Sequence, residues 1–167
     1  MKKALTAAIT LAGSLGYAGA ANAVNVNPDG TGEVLLYSYY TVENGNDTLI
    51  NITNTTNSAK AVKVRVLEAM NSQEVLDFNL YLSQEDVWTA AISRTENGAK
   101  ISTGDNSCTV PSFPAGGVEF RNFEYEGSDY DDREGGPQGL DRTRAGYIEV
   151  IEMGEILDAD IPIPNTV

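Results

Sequence analysis

The clearest hydrophobic pattern in the chain lies between residues 47 and 67. Leu49 alternates with Asn51 and Ile50 with Ile52; farther on, Val62, Val64 and Val66 alternate with Lys63 and Arg65. A period of two marks a strand with one face in a core and one in water. The intervening NTTNSAK is a polar turn segment. The stretch therefore predicts two strands and their connection, a central pair that other strands must cover.

The same pattern recurs on both sides. Residues 33–42 form a first strand carrying Tyr37, Tyr39 and Tyr40, followed by Asn44-Gly45, a preferred hairpin dipeptide. In residues 75–82, Leu76, Phe78, Leu80 and Leu82 are expected in the core, with Val75, Asp77, Asn79 and Tyr81 on the other face. Residues 87–92 hold Trp88, expected in the core, and residues 99–102 read as a short edge strand. Residues 118–125 alternate until the pattern breaks near Asn122, and residues 146–153 form the last clear strand. Residues 103–117 and 127–144 are long connections. With no helix of useful length and no repeat, the expected fold is all-β: an immunoglobulin-like antiparallel β-sandwich of about seven or eight strands. The Cys-Trp-Cys core of antibody domains is absent, so the likeness is one of fold only. The domain is expected over residues 24–153. Residues 154–167, with Pro162 and Pro164, are expected as an extended edge or tail.

The first residues change the picture of where this domain works. Lys2 and Lys3 precede an uncharged run rich in Ala, Leu and Gly, and Ala21-Asn22-Ala23 is a small-x-small cleavage signal. Residues 1–23 therefore read as a secretory signal peptide. The apolar run is broken by Gly13, Ser14, Gly16 and Gly19, whereas a membrane span needs about 20 strongly apolar residues. No membrane insertion is expected after cleavage. The destination is the periplasm, the cell surface or the medium. Asn46, Asn51 and Asn54 begin Asn-x-Thr triplets, which in a bacterial setting read as strand-end and turn residues.

The net charge is −13, and the leader contributes only positive charges. Such an acidic chain is a poor partner for nucleic acid, which needs a cationic face, and for anionic membranes. There is no histidine, so the commonest general base and transition-metal ligand are missing. Neither a Gly-x-Ser-x-Gly elbow nor a phosphate-binding loop is found. The expectation is a non-catalytic protein. A carboxylate-based hydrolase is the weakest of the readings kept, because a pair of acids proves little in a chain with so many.

Three features are candidates for binding. Asp129, Asp131, Asp132 and Glu134 place four carboxylates within six residues of the loop 127–139, and Ca²⁺ takes six to eight oxygen ligands from such loops. Arg133, however, sits where an oxygen is expected, and a solvated acidic loop explains the same run. Tyr37, Tyr39 and Tyr40 offer an aromatic surface for a glycan or a protein, or else fill the core. Cys108 is the only cysteine. It is a buried thiol, an intermolecular thiol or one that has lost its partner. Asp141, Arg142 and Arg144 are placed to hold the acidic loop through exposed ion pairs.

The stretches NPDGTGEVLLYSYYTVENGNDTLINITNTT, AVKVRVLEAMNSQEVLDFNLYLSQEDVWTAAI, GDNSCTVP and GYIEVIEMGE together resemble the amino-terminal part of secreted cell-surface proteins of Gram-negative bacteria. The resemblance covers most of the mature chain. It implies a surface location, a β-rich first domain, a longer parent protein and a downstream partner for Cys108. It carries no catalytic residue. The expected function is a structural or adhesive surface protein, with protein subunits or surface glycans as partners and strand addition at an edge as the mode of assembly. The alternative is a Ca²⁺-dependent binding module for glycan or protein.

Overall fold

A computed structural model describes residues 26–128 and 136–157. The leader, the four acids of the loop and residues 158–167 lie outside the described residues. The chain divides into two units, residues 1–31 and 32–167. In the first, the turn expected at Pro28-Asp29-Gly30 is present. The Asn27 side chain accepts the Asp29 amide at 2.9 Å, and the Gly30 amide donates to the Asn27 carbonyl at 3.3 Å.

The second unit is mostly antiparallel β-structure in two open sheets. In chain order its strands are β1 (Val34–Thr41), β2 (Thr48–Thr53), β3 (Ala59–Glu68), β4 (Glu74–Leu82), β5 (Val87–Arg94), β6 (Ala99–Ser102), β7 (Cys108–Val110), β8 (Val118–Glu119) and β9 (Ala145–Ile156). Short 3-10 turns occupy Glu43–Gly45 and Leu140–Arg144. The larger sheet has the order β1-β9-β3-β4-β7 and the smaller one β2-β5-β6-β8. The inward residues of both sheets share one core, with Val64, Phe78 and Leu80 from one side and Ile52, Trp88 and Ile92 from the other. Each such side chain contributes roughly 1.5–3 kcal/mol on burial. Phe78 and Trp88, 5.7 Å apart between ring centroids, join the two layers directly.

The sandwich-like all-β character is as expected; the immunoglobulin-like order is not confirmed. In that arrangement the first, second, fifth and fourth strands share a sheet. Here β2 and β5 pair in the smaller sheet, while β1 and β4 lie in the larger. The central pair read from the sequence is also corrected, because β2 and β3 belong to different sheets. Their connection is a crossover pinned by the buried Asn54. Its amide nitrogen donates to the carbonyls of Ser58 (2.7 Å) and Ser83 (2.6 Å), and its oxygen accepts from the amide and hydroxyl of Thr56. The Asn44-Gly45 dipeptide does take the positive φ values such turns need. The turn, however, carries the chain from one sheet to the other rather than closing a hairpin.

Two boundaries move for local reasons. Residues 118–125 are strand only over Val118–Glu119. Beyond them the Phe120 amide bonds to the Ala99 carbonyl and the Arg121 amide to the Val75 carbonyl, both at 2.9 Å, so the segment bridges from the smaller sheet to the larger. Residues 154–156 are not a tail. They continue β9 and pair with Ala61, Lys60 and Ala59 of β3. The last strand is thus central, flanked by β1 and β3, and the sheet edges lie at β1, β7, β2 and β8. Lys63 and Arg65 face outward as expected. Arg65 bridges Glu74 on β4 and Glu149 on β9 at 2.7 and 2.9 Å, and Lys63 pairs with Asp77. Among the described residues no helix is long and apolar enough to cross a membrane.

Candidate functional site

β4 pairs with β3 along one side except at the bulged Val75. On the other side β7 covers only Asn79, Leu80 and Tyr81, so among the described residues no strand lies beside 74–78. Alternate residues of a strand turn their backbone N–H and C=O to one edge, and along this half those groups face a groove of about 870 Å³. One of them, the Val75 carbonyl, accepts the Arg121 amide, so this edge takes hydrogen bonds from the groove side.

Behind the groove lies an aromatic cluster, with Phe78 and Phe120 buried and Phe113 half-buried. Phe78 meets Phe113 edge-on with centroids 4.8 Å apart, and the buried Phe120 packs edge-on against Tyr40 at 5.9 Å. The sequence builds this cluster from three places. Phe78 follows the alternation of β4. Phe113 is brought in after β7, where its amide donates to the Thr109 hydroxyl at 3.2 Å. Phe120 is the first residue of the bridge beyond β8. On the lip Phe123 is 65% exposed, with the Arg121 guanidinium 5.4 Å from its ring centre. The outer lip carries both signs of charge, with Lys63 and the exposed Arg121 among its acids. Asp77 and Glu74 are engaged by Lys63 and Arg65. Glu119 and Glu124 are exposed and make no ion pair among the described residues.

The residues singled out from the sequence are dispersed. Tyr37, Tyr39 and Tyr40 do not form one surface. A bulge between Tyr37 and Tyr40 puts both of those on the inner side, Tyr40 fully buried, while Tyr39 is 64% exposed. Tyr37 donates to the Asn51 carbonyl, and Tyr40 to the Thr143 carbonyl at 2.9 Å. Burial raises both phenols above their ordinary range, so they remain protonated donors that tie strands together. Cys108 is exposed on the edge strand β7, which corrects the buried alternative.

Asp129, Asp131, Asp132 and Glu134 lie outside the described residues. The ends of their loop are held together: the Gly127 amide donates to the Gln138 side chain at 2.7 Å, and Asn122 donates to the Gln138 carbonyl at 2.9 Å. No group of three or more acids, histidines or cysteines among the described residues is arranged to hold a metal.

Arg142 is not an exposed holder of that loop. It is buried against Glu68, with Nε–Oε2 at 2.8 Å and Nη2–Oε1 at 3.0 Å, and its guanidinium lies 4.3 Å from the centre of the Tyr125 ring. Burial by itself would raise the Glu68 carboxyl. The Arg142 guanidinium and the amides of Gln73, Met70 and Asn71 outweigh that and hold it at about 2. The alternating pattern read from the sequence stops at Leu67 and does not reveal this pair. The one available signal was an acid closing an alternating strand just before a tight turn.

No family model, no curated protein and no solved structure matches the chain.

Proposed function

We propose that this is an exported, non-catalytic binding protein of the bacterial cell surface with a structural or adhesive role, and that its contact surface is the groove beside β4. The signal-like leader and the resemblance to secreted surface proteins support the location. The observation that carries the binding reading is the groove beside the half-unpaired edge of β4, with Phe113 half-buried in it and Phe123 exposed on its lip. Exposed aromatics next to a well-formed groove are where partners are most often held. The groove also lies within the size range of small-ligand and peptide sites.

The test compares cells exporting the wild-type chain with cells exporting Phe123→Ser. Surface exposure is followed by antibody labelling, and attachment to other cells and to a solid support is measured. Equal export with attachment lost in the variant is expected. Attachment that is the same with the wild-type chain, with the variant and without the chain overturns the reading.

The second reading is a Ca²⁺-dependent module. It is favoured by one observation, the joining of the 127–139 loop at its base through Gly127 and Gln138. A bound ion stabilises the folded state by mass action. Millimolar Ca²⁺ is then expected to raise the melting temperature of the wild-type chain and leave Asp131→Ala unchanged; identical melting with chelator and with Ca²⁺ sinks this reading.

A further inference from the structure

We infer that two copies of this chain join edge to edge through β1, antiparallel about a two-fold axis at Leu36, so that their larger sheets run on as one. The contact is separate from the groove beside β4, which lies toward the other side of that sheet.

The backbone of this edge is free. The Glu152 amide donates to the Glu33 carbonyl at 2.7 Å, so Glu33 turns its backbone groups toward β9. Along a strand these groups alternate between the two edges. Val34 and Leu36 therefore turn theirs away from β9, and among the described residues nothing bonds to them there. The far end of the edge is closed. There the Thr48 hydroxyl accepts the Thr41 amide at 3.0 Å and donates to the Thr41 carbonyl at 2.9 Å. About five residues from Val34 onward stay open, a length of about 17 Å. The other sheet edges offer less. β7 and β8 have three and two residues, and on β2 the Asn51 carbonyl is taken by the Tyr37 hydroxyl.

The side chains of the edge are unguarded as well. Edge strands are usually protected by charge, proline or a bulge. β1, VLLYSYYT, holds neither charge nor proline, and its bulge lies beyond Tyr37. Val34 and Leu36 stand on the outward face, 56% and 69% exposed, with the half-buried Ile151 beside Val34. They are presented to solvent and have no role in the core.

The strand that fits this edge is the same strand. An uncharged apolar edge offers no ion pair to a cationic or an acidic segment. About a two-fold axis, Leu36 meets the partner's Leu36 and Val34 meets the partner's Ser38, and each copy fills the other's open backbone. Glu33, the acid nearest the slot, then lies about six residues, or roughly 20 Å, from the partner's Glu33. The acids of β9 beside β1 are already engaged, Glu149 by Arg65 and Glu152 by Lys60. The net charge of −13 acts from farther off, where salt screens it. A contact one strand wide falls at the low end of interface sizes, below about 1,200 Å² in total. The dimer is therefore reversible, and salt strengthens it.

Sedimentation equilibrium of the full exported chain tests this, over about 1–100 μM and at low and high NaCl. Reducing agent is present, so that Cys108 on β7 forms no bond. A monomer–dimer equilibrium that tightens with salt is expected. Leu36→Lys and Leu36→Glu are each expected to weaken it at least about tenfold, because the axis sets like charges directly opposite. Mixed in equal amounts, the two variants are expected to recover a dimer containing one copy of each. Melting temperatures near that of the wild type show that the variants are folded. Leu36→Thr, which keeps a strand-forming residue and removes the apolar contact, repeats the weakening without charge should either of them fail to fold.

A wild type that stays monomeric over the whole range overturns the inference, whether or not a foreign strand can be seated on β1. A dimer that the Leu36 variants leave unchanged places the interface elsewhere and overturns it too. So does a dimer that salt loosens, or a mixture of the two charged variants that remains monomeric.

Discussion

Glu68 and Arg142, far apart in the chain, form a two-point ion pair in the interior, with side-chain exposures of 0% and 2%. Glu68 ends β3 at the β3–β4 hairpin, where its carboxylate also accepts the amides of Met70, Asn71 and Gln73 at 2.7, 3.2 and 2.9 Å. Arg142 sits in the turn that leads from the acidic loop into β9 and also donates to the Pro137 carbonyl at 3.1 Å. The pair thus ties the hairpin that opens β4, and with it the groove, to the point where the loop rejoins the fold. Just beyond it, Thr143 accepts the Ala99 amide at 3.1 Å and the Tyr40 hydroxyl at 2.9 Å, so the same turn also touches β6 and β1.

Removing one partner of such a pair leaves an uncompensated buried charge and costs about 3–5 kcal/mol. Glu68→Ala also orphans three backbone donors, so it is expected to destabilise more than Arg142→Ala. Replacing both by methionine removes the stranded charge and is expected to cost less than Glu68→Ala alone. Urea unfolding of the three variants checks the order. A double variant less stable than both single ones would show that the pair contributes more than the avoidance of a lone charge.

The pH dependence follows from the same carboxylate. Its folded value is about 2, against 4.5 for the group unperturbed. A depressed value means that the folded state holds fewer protons, so the stabilisation is fully present above about 4.5 and is lost as the pH falls toward about 2. The urea midpoint of the wild type is expected to drop through this window. Glu68→Gln, less stable at neutral pH, is expected to show a shallower drop there. Parallel wild-type and variant curves between pH 5 and pH 2 would assign the acid sensitivity to other carboxylates.

Gly146 lies at the start of β9, where it pairs with Glu68 at the end of β3. A Cβ added there would sit 1.9 Å from the Leu67 carbonyl oxygen and 2.7 Å from Cε1 of the Tyr40 ring. Backbone cannot yield as a flexible side chain can, so Gly146→Ala is expected to destabilise by about 1–3 kcal/mol or more through overpacking. Gly104→Ala, with nothing within 4 Å of the added atom, serves as its control. Similar melting temperatures for the two variants would contradict the close approach.

The strands were legible in the sequence where alternation was long and one face was apolar. β3 and β4 are the clearest cases, with Val62, Val64 and Val66 opposite Leu80, Phe78 and Leu76. What alternation does not carry is partnership. Nothing in residues 48–68 distinguishes a hairpin from a crossover, because Asn54 and its neighbours serve a polar turn and a sheet-to-sheet pin equally well. β7 escaped notice because three residues hold too little pattern. Val75, expected outward with Asp77, is buried because a bulge opposite Val66 and Leu67 shifts the register. The groove was illegible for a related reason. Phe78, Phe113 and Phe120 come from three segments whose meeting depends on the order of the sheets. The buried Glu68–Arg142 pair depends on contact across most of the fold, which local charge patterning does not record.

Cys108 gives a prediction that separates exposure from reactivity. It stands on an edge strand paired to Tyr81, and its side chain reaches solvent. A thiol so placed needs no unfolding to meet a reagent, so iodoacetamide is expected to modify it in the native protein at a rate close to that in denaturant. The same accessibility predicts a disulfide-linked dimer on non-reducing electrophoresis after mild oxidation of the chain, and none for Cys108→Ser. Protection of the native thiol by tenfold or more would contradict its placement on the open edge of β7. Rapid alkylation without a dimer would show an accessible thiol that two acidic chains, repelling each other, do not bring together.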